Sequence, residues 1–318
     1  MKIKRLPVHL FLLIAGFSLP VLAPFLSAAE SPSPAPDGGI KVMVLTGQCS
    51  KSHDWTKSSP ILRELLEASG LFEVDEVITP PKGADMTGFA PRWADYDVVV
   101  MDYEGDEWPE ETKEAFAAWV AEGGGLVSFH ATDNAFPKWP AFLEMTGVGG
   151  WGGRDASWGP WIHWTENGVV RDESPGGAMH PPKHDFLVVT RAPEHPVMHG
   201  LPDEWLHAHD ELYSRLRGPA KNLTVLATAY ADPERFERAT GRHEPMLMAI
   251  GYGKGRVFHT TLGHVGTNDE EPIRSVRCVG FITTLLRGTE WAATGGVTQK
   301  VPDDFPTADA TSVRPGGN

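Results

Sequence analysis

Cysteine is scarce in this chain of 318 residues, which holds only Cys49 and Cys278. There is no CxxC pair, so zinc-finger and thioredoxin-type motifs are excluded. The two cysteines are too far apart in sequence for spacing to say whether they pair. The signatures of several enzyme classes are missing too. The chain has no GxSxG elbow for a serine nucleophile, no HExxH zinc helix and no Walker A phosphate loop. Residues 251–255 (GYGKG) are glycine-rich, but they join two apolar runs and read as a hairpin turn. Positive charge is also in short supply: 28 Lys and Arg against 42 Asp and Glu leave a net charge of −14. Such a chain repels phosphate backbones and anionic membrane surfaces. That argues against nucleic acid as a partner and favours a neutral or cationic ligand, or a metal. Beyond the N-terminal segment, no run approaches the roughly 18 apolar residues needed to span a bilayer.

The N-terminus reads as an export signal. Lys2, Lys4 and Arg5 precede an apolar run over 8–21, and Ser27, Ala28 and Ala29 supply the small residues a signal peptidase needs. Residues 1–29 are expected to be a signal peptide cleaved near Ala29. The product would be periplasmic or extracellular, with no membrane anchor. An uncleaved anchor is the alternative, against which Pro20, Pro24 and the small-residue site argue. Residues 30–40 read as a Pro/Ser/Gly linker, 41–293 as one domain, and 294–318 as a loose tail. An oxidising compartment would permit a disulfide.

Through the first half of the domain, apolar runs alternate with amphipathic segments. Residues 42–45, 72–78, 97–101 and 126–129 read as strands. One helix is expected to open at Ser59-Pro60, with Ile61, Leu62, Leu65 and Leu66 on one face; another opens at Pro109 and closes at glycines 123–125. This alternation implies an α/β fold with a mostly parallel central sheet covered on both faces. The second half is richer in strands, over 186–189, 224–227, 246–250 and 256–260, before an amphipathic helix over 276–286. The Gly-, Trp-, Pro- and His-rich stretch 147–182 has weak periodicity and is expected to be a long loop over the site.

In open parallel sheets, ligands bind beyond the carboxyl ends of the strands. That rule selects segment 48–55 with His53 and Trp55, 102–104 with Asp102 and Glu104, 130–134 with His130 and Asp133, and 261–264 with His264. His53, His130 and His264 should face a common crevice. One histidine at a strand end is ordinarily structural; three at equivalent edges of one sheet point to function. Imidazole, with a pKa of about 6.5, exchanges protons near neutrality. A second constellation is Asp210, Glu211 and Tyr213, preceded by His207 and His209. In a regular strand Asp210 and Glu211 would face opposite sides, so only an irregular backbone brings both to one pocket; a solvated acidic turn is the alternative. His259, following Phe258, reads as core. Trp151, Trp158, Trp161 and Trp164 offer rings for stacking on sugars. The expected catalytic groups are His130, as central acid or base, His264 and Asp210. His53, Trp55, Asp102, Glu104, Asp133, Glu211 and Tyr213 are expected to contact substrate.

Several segments, in order, resemble the ThuA-like (trehalose-utilisation) family. They are HDW at 53–55, GGLVSFHA at 124–131, EHP at 194–196 with GLP at 200–202, DELY at 210–213, GKGRVF at 253–258 with LGH at 262–264, and EWA at 290–292. The resemblance covers about 41–293. It implies a flavodoxin-like, class I glutamine amidotransferase-like three-layer sandwich. In those amidotransferases a catalytic cysteine sits on the turn after a central strand. Here the similar turn carries His130 and Cys49 is on another loop, so glutaminase chemistry is not implied. The family's link to trehalose and to dehydrogenases that make 3-keto sugars implies a sugar or 3-keto-glycoside substrate. The histidines and carboxylates of the chain are compatible with a mononuclear divalent-metal site, but no spacing is diagnostic of one, and the cofactor stays open. Export departs from a purely cytoplasmic sugar pathway and suggests periplasmic glycan breakdown. A non-catalytic carbohydrate-binding accessory protein and a metal-dependent hydrolase of another substrate stay open, as does a homo-oligomer.

Overall fold

The computed structural model describes residues 39–316. The expected signal peptide and all but the end of the linker lie outside the described residues. In chain order the elements are β1 (Ile40–Thr46), α1 (Trp55–Ala68), β2 (Phe72–Ile78), β3 (Val98–Met101), α2 (Glu110–Glu122), β4 (Gly125–Phe129), α3 (Pro140–Thr146), β5 (Trp161–Thr165), β6 (Gly168–Asp172), β7 (His184–Thr190), β8 (Glu204–Asp210), β9 (Leu223–Tyr230), β10 (His243–Tyr252), β11 (Gly255–Thr260), α4 (Arg274–Arg277) and α5 (Val279–Thr294). The sheet runs β2-β1-β3-β4-β11-β10-β9-β7-β8. Its first five strands are parallel. The remainder continues antiparallel, with β5 pairing β10 and β6 off the main path.

Successive side chains of a strand point to opposite faces, so a strand apolar at every position must be covered twice. Val42 and Val44 of β1 pack in one core with Leu62 and Leu66 of α1 and Phe281 and Leu285 of α5. Met43 and Leu45 join the opposite core, with Phe116 and Val120 of α2 and Phe142 of α3. β3, reading VVVM, is buried throughout. Each such side chain removed from water contributes roughly 1.5–3 kcal/mol. The result is the expected α/β sandwich, a mixed sheet between helices.

Three expectations are corrected. α1 begins at Trp55 instead of near Pro60, because the Asp54 carboxylate caps it, accepting from Thr56 N at 3.1 Å and Thr56 Oγ1 at 2.6 Å. Pro60 lies within the helix and is exposed. The 147–182 stretch is not one loop, since β5 and β6 form a hairpin inside it. The segment after Thr294 is not loose. Leu206 N donates to Thr307 O at 2.8 Å and Val279 N to Ser312 O at 2.9 Å. Phe305 lies edge-on to Trp205, with ring centroids 5.5 Å apart. Scattered apolar residues, Val301, Phe305 and Val313, give this polar segment something to pack.

Candidate active site

The parallel strands β1, β3, β4 and β11 end at one edge, and each hands over a polar segment. After β1 comes His53, whose Nδ1 lies 2.8 Å from Ser50 Oγ and 3.5 Å from Glu104 Oε2, the latter in the segment after β3. After β4 comes His130, whose backbone turns with φ of 43°. A non-glycine residue in that left-handed region carries strain on the order of 1–3 kcal/mol. Its Nδ1 donates to Thr261 O at 2.7 Å, because a carbonyl only accepts. After β11, Gly263 turns with φ of 104° and delivers His264. The centroids of the His53, His130 and His264 rings are 5.1, 5.1 and 5.3 Å apart.

β8 supplies the acid. Strand geometry ends at Asp210, and His209 before it has φ of 42°. The alternation that would separate Asp210 from Glu211 is therefore broken, and both are buried in the same neighbourhood. Glu211 Oε2 is 3.2 Å from His264 Nδ1 and 3.8 Å from His130 Nε2. Its Oε1 is 3.6 Å from His180 Nε2. The Tyr213 hydroxyl lies 2.9 Å from His130 Nε2 and 3.5 Å from His53 Nε2. One ring nitrogen from each of His53, His130 and His264 and one Glu211 oxygen all lie within 4.8 Å of one another. Imidazole and carboxylate donors gathered in this way can hold a divalent cation.

Burial, reinforced by the neighbouring His53 and His264 rings, pushes the His130 imidazole down to about 3. At neutral pH it is the uncharged imidazole, with its one proton on Nδ1 toward Thr261 O and a lone pair at Nε2. Burial alone would raise Glu211, but His264, His130 and His180 outweigh it and hold the carboxyl below its ordinary range. Burial and then the Glu211 charge hold the Tyr213 phenol protonated. Asp102 is lifted to about 6 by burial, against a 2.5 Å hydrogen bond from Ser58 Oγ.

The family model for ThuA, trehalose utilisation, matches residues 41–292. The chain belongs to the ThuA family. A protein from Parabacteroides merdae called ThuA-like is 47% identical, with 87% of this chain and 98% of that chain covered and a TM-score of 0.83. A second protein so called, from Bacteroides uniformis, shares the fold at 18% identity, with 79% and 89% covered and a TM-score of 0.52. No curated protein matches. ThuA membership supports a carbohydrate-related role.

In this ThuA-family chain, not every expected residue reaches the site. His53, Glu104, Glu211 and Tyr213 line a cavity of about 220 Å³, with Trp151 and His180 in its wall. His130 and Asp102 line an adjoining hollow that shares His53 and Glu104. Asp210 sits behind the cluster, bonded to His207 and to the backbone of Gly263 and His264, and so positions His264. Trp55 opens α1 and lines neither cavity. Asp133 is fully buried, 3.4 Å from His259 Nε2, and lines neither cavity, although Thr132 and Asn134 on either side of it do. Of the four tryptophans only Trp151 borders the cavity. Trp158 lies under Arg154, Trp161 donates to Glu244, and Trp164 lies under Arg191. His180 was missed because no strand end marks it. Cys49 and Cys278 are unpaired, Cys49 Sγ donating to His53 O at 3.1 Å.

Proposed function

We propose that this ThuA-family chain is an exported enzyme of carbohydrate breakdown that acts on a sugar or a 3-keto-glycoside. The observation that carries the reading is the convergence of His53, His130, His264 and Glu211 beside a cavity walled by Trp151 and Tyr213. An indole and a phenol pair a flat apolar face with a polar tip, which suits the faces and hydroxyls of a sugar ring. A ketone acidifies the adjacent C–H. Removing that proton takes a base held against the ring and a donor for the oxygen that gains charge. Tyr213, kept protonated, supplies the donor. Glu104 Oε2 is a buried acceptor without a hydrogen-bond partner in the same cavity, which suits it to be the base. The part expected of His130, central acid or base, narrows to a lone pair and a position. Export rests on the basic, apolar and small-residue pattern of residues 1–29.

The test incubates the chain with a 3-keto-disaccharide and with its parent disaccharide and follows products by chromatography. Turnover of the keto sugar is expected. Glu104→Gln should lower kcat by about 10²-fold or more, and His130→Ala should abolish turnover, both with unchanged circular dichroism. Binding with no product over long incubation would overturn the enzymatic reading in favour of an accessory carbohydrate-binding protein. The mass of the protein recovered from the periplasm of a bacterial host tests export, and retention of residues 1–29 would count against it.

A further inference from the structure

One ring nitrogen of each histidine lies within 4.8 Å of the others and of a Glu211 oxygen, and in two of the three the opposite nitrogen is tied down. His130 Nδ1 donates to Thr261 O at 2.7 Å, which leaves Nε2 as the lone pair facing inward. His53 Nδ1 is held by Ser50 Oγ at 2.8 Å, and its Nε2 lies on the Tyr213 side, at 3.5 Å. Anchoring one ring nitrogen while the other is free is how proteins orient metal-ligating histidines. The fourth group is Glu211, whose Oε2 approaches both His264 Nδ1 and His130 Nε2.

One atom among these ligand groups makes no hydrogen bond of good geometry, and its near neighbour is a carboxylate of the same cluster. His264 Nδ1 is buried without a hydrogen bond, in a side chain only 7% exposed, and it faces the Glu211 carboxylate at 3.2 Å. Buried polar atoms are normally satisfied. A cation between this nitrogen and Glu211 would satisfy both, and would also draw the other two imidazoles. We infer that His53, His130, His264 and Glu211 form the ligand set of a divalent-metal centre, open toward the cavity that Trp151 and Tyr213 wall.

Three imidazoles and one carboxylate select first-row transition cations of the zinc, cobalt, manganese and iron type over calcium or magnesium, which prefer oxygen ligands. Four protein ligands leave room for oxygen atoms of a bound ligand on the cavity side, where a vicinal hydroxyl and ketone would fit. Glu104, His180 and Tyr213 stay outside the ligand set and remain free to handle protons. The rival arrangement is a hydrogen-bonded cluster built around the Tyr213 hydroxyl, 2.9 Å from His130 Nε2. The two differ in what Tyr213 does: the hydrogen-bonded cluster needs its hydroxyl, and the metal centre does not.

The inference concerns the same cavity as the sugar reading but does not depend on it, and its readout is binding. The full chain is stripped with a chelator, then titrated with Zn²⁺ by calorimetry and with Co²⁺ by visible absorption. One equivalent per chain is expected. Glu211→Gln and His53→Ala, each checked for fold by circular dichroism, should weaken Kd at least tenfold, while Tyr213→Phe retains one equivalent. Absence of stoichiometric binding by the stripped wild type would overturn the metal centre. So would unchanged affinity in both ligand variants, or loss of binding in Tyr213→Phe. Metal-free protein that turns over a keto sugar sinks the catalytic use of the metal and leaves the sugar reading standing; metal-loaded protein inert toward sugars does the reverse.

Discussion

His207 Nε2 lies 2.8 Å from Asp210 Oδ2, and both side chains are completely buried. The same carboxylate accepts Gly263 N–H at 2.6 Å and His264 N–H at 3.0 Å. A charge at the end of β8 thus fixes the loop after β11 where a site imidazole begins. Burial opposes ionisation of Asp210, but His207 and the amide donors hold it well below the ordinary carboxylate range. Removing one charge of a buried pair costs about 3–5 kcal/mol. Asp210→Asn should therefore lose about 3 kcal/mol in urea unfolding at pH 7 and lower kcat through a displaced His264. A loss within the roughly 0.5 kcal/mol typical of neutral surface changes would show that the carboxylate charge holds nothing.

Gly263 is the other control on that loop. Its φ of 104° is strained for any residue with a side chain, and an added Cβ would stand 2.5 Å from Phe129 Cε2 and 2.7 Å from Phe281 Cε2. Both rings are packed in the core and have no room to withdraw. Gly263→Ala should cost about 1–3 kcal/mol by overpacking and reduce metal affinity along with turnover, because His264 moves with the loop. Wild-type stability by thermal unfolding would mean that the loop relaxes without strain.

Much of this site was legible before any coordinates. β1, β3 and β4 are dominated by Val, Leu, Met, Ile and Phe, and such strands bury both faces only in a covered parallel sheet. That rule alone brought His53, His130 and His264 to one edge. What stayed hidden were polar segments whose partners are distant. β8, reading EWLHAHD, carries four polar residues, of which His207 and Asp210 find buried partners only in the fold, such as Asp210 beneath Gly263. The contribution of Glu211 depended on the backbone turn at His209, which no residue spacing announces. His180 reached Glu211 from a stretch without periodicity, and Trp161 and Trp164 went to a hairpin and to Arg contacts away from the cavity.

The tryptophans give a paired comparison. Trp151 borders the cavity beside Tyr213, with ring centroids 4.5 Å apart, whereas Trp164 lies under the Arg191 guanidinium at 5.3 Å. A stacked aromatic contact is worth about 0.5–1.5 kcal/mol, so Trp151→Ala should weaken sugar binding roughly threefold to tenfold by calorimetry. Trp164→Ala should leave sugar affinity unchanged. If Trp164→Ala weakened binding and Trp151→Ala did not, the sugar would have to sit elsewhere.

Glu244 makes stability depend on pH from outside the histidine cluster. It is fully buried near the start of β10 and accepts from Trp161 Nε1 at 2.9 Å, Arg215 N at 3.1 Å and Thr240 Oγ1 at 2.6 Å. Burial lifts its carboxyl to about 7, although these donors and the Arg215 charge pull the other way. In the unfolded chain the same group ionises near an ordinary value of about 4.3. Between those values the folded chain keeps a proton that the unfolded chain has released. The stability linked to this proton is fully present below about pH 4 and is lost as pH rises through about 7, a difference on the order of 3 kcal/mol. Glu244→Gln cannot ionise, and its amide can donate to the Thr240 hydroxyl while its oxygen still accepts from Trp161 and Arg215. Unfolding free energies at pH 5 and pH 8 should therefore fall more steeply in the wild type than in Glu244→Gln, so that the variant gains on the wild type as pH rises. Parallel pH profiles would mean that Glu244 ionises in the folded chain at its ordinary value, with the Trp161 and Arg215 contacts offsetting burial in full.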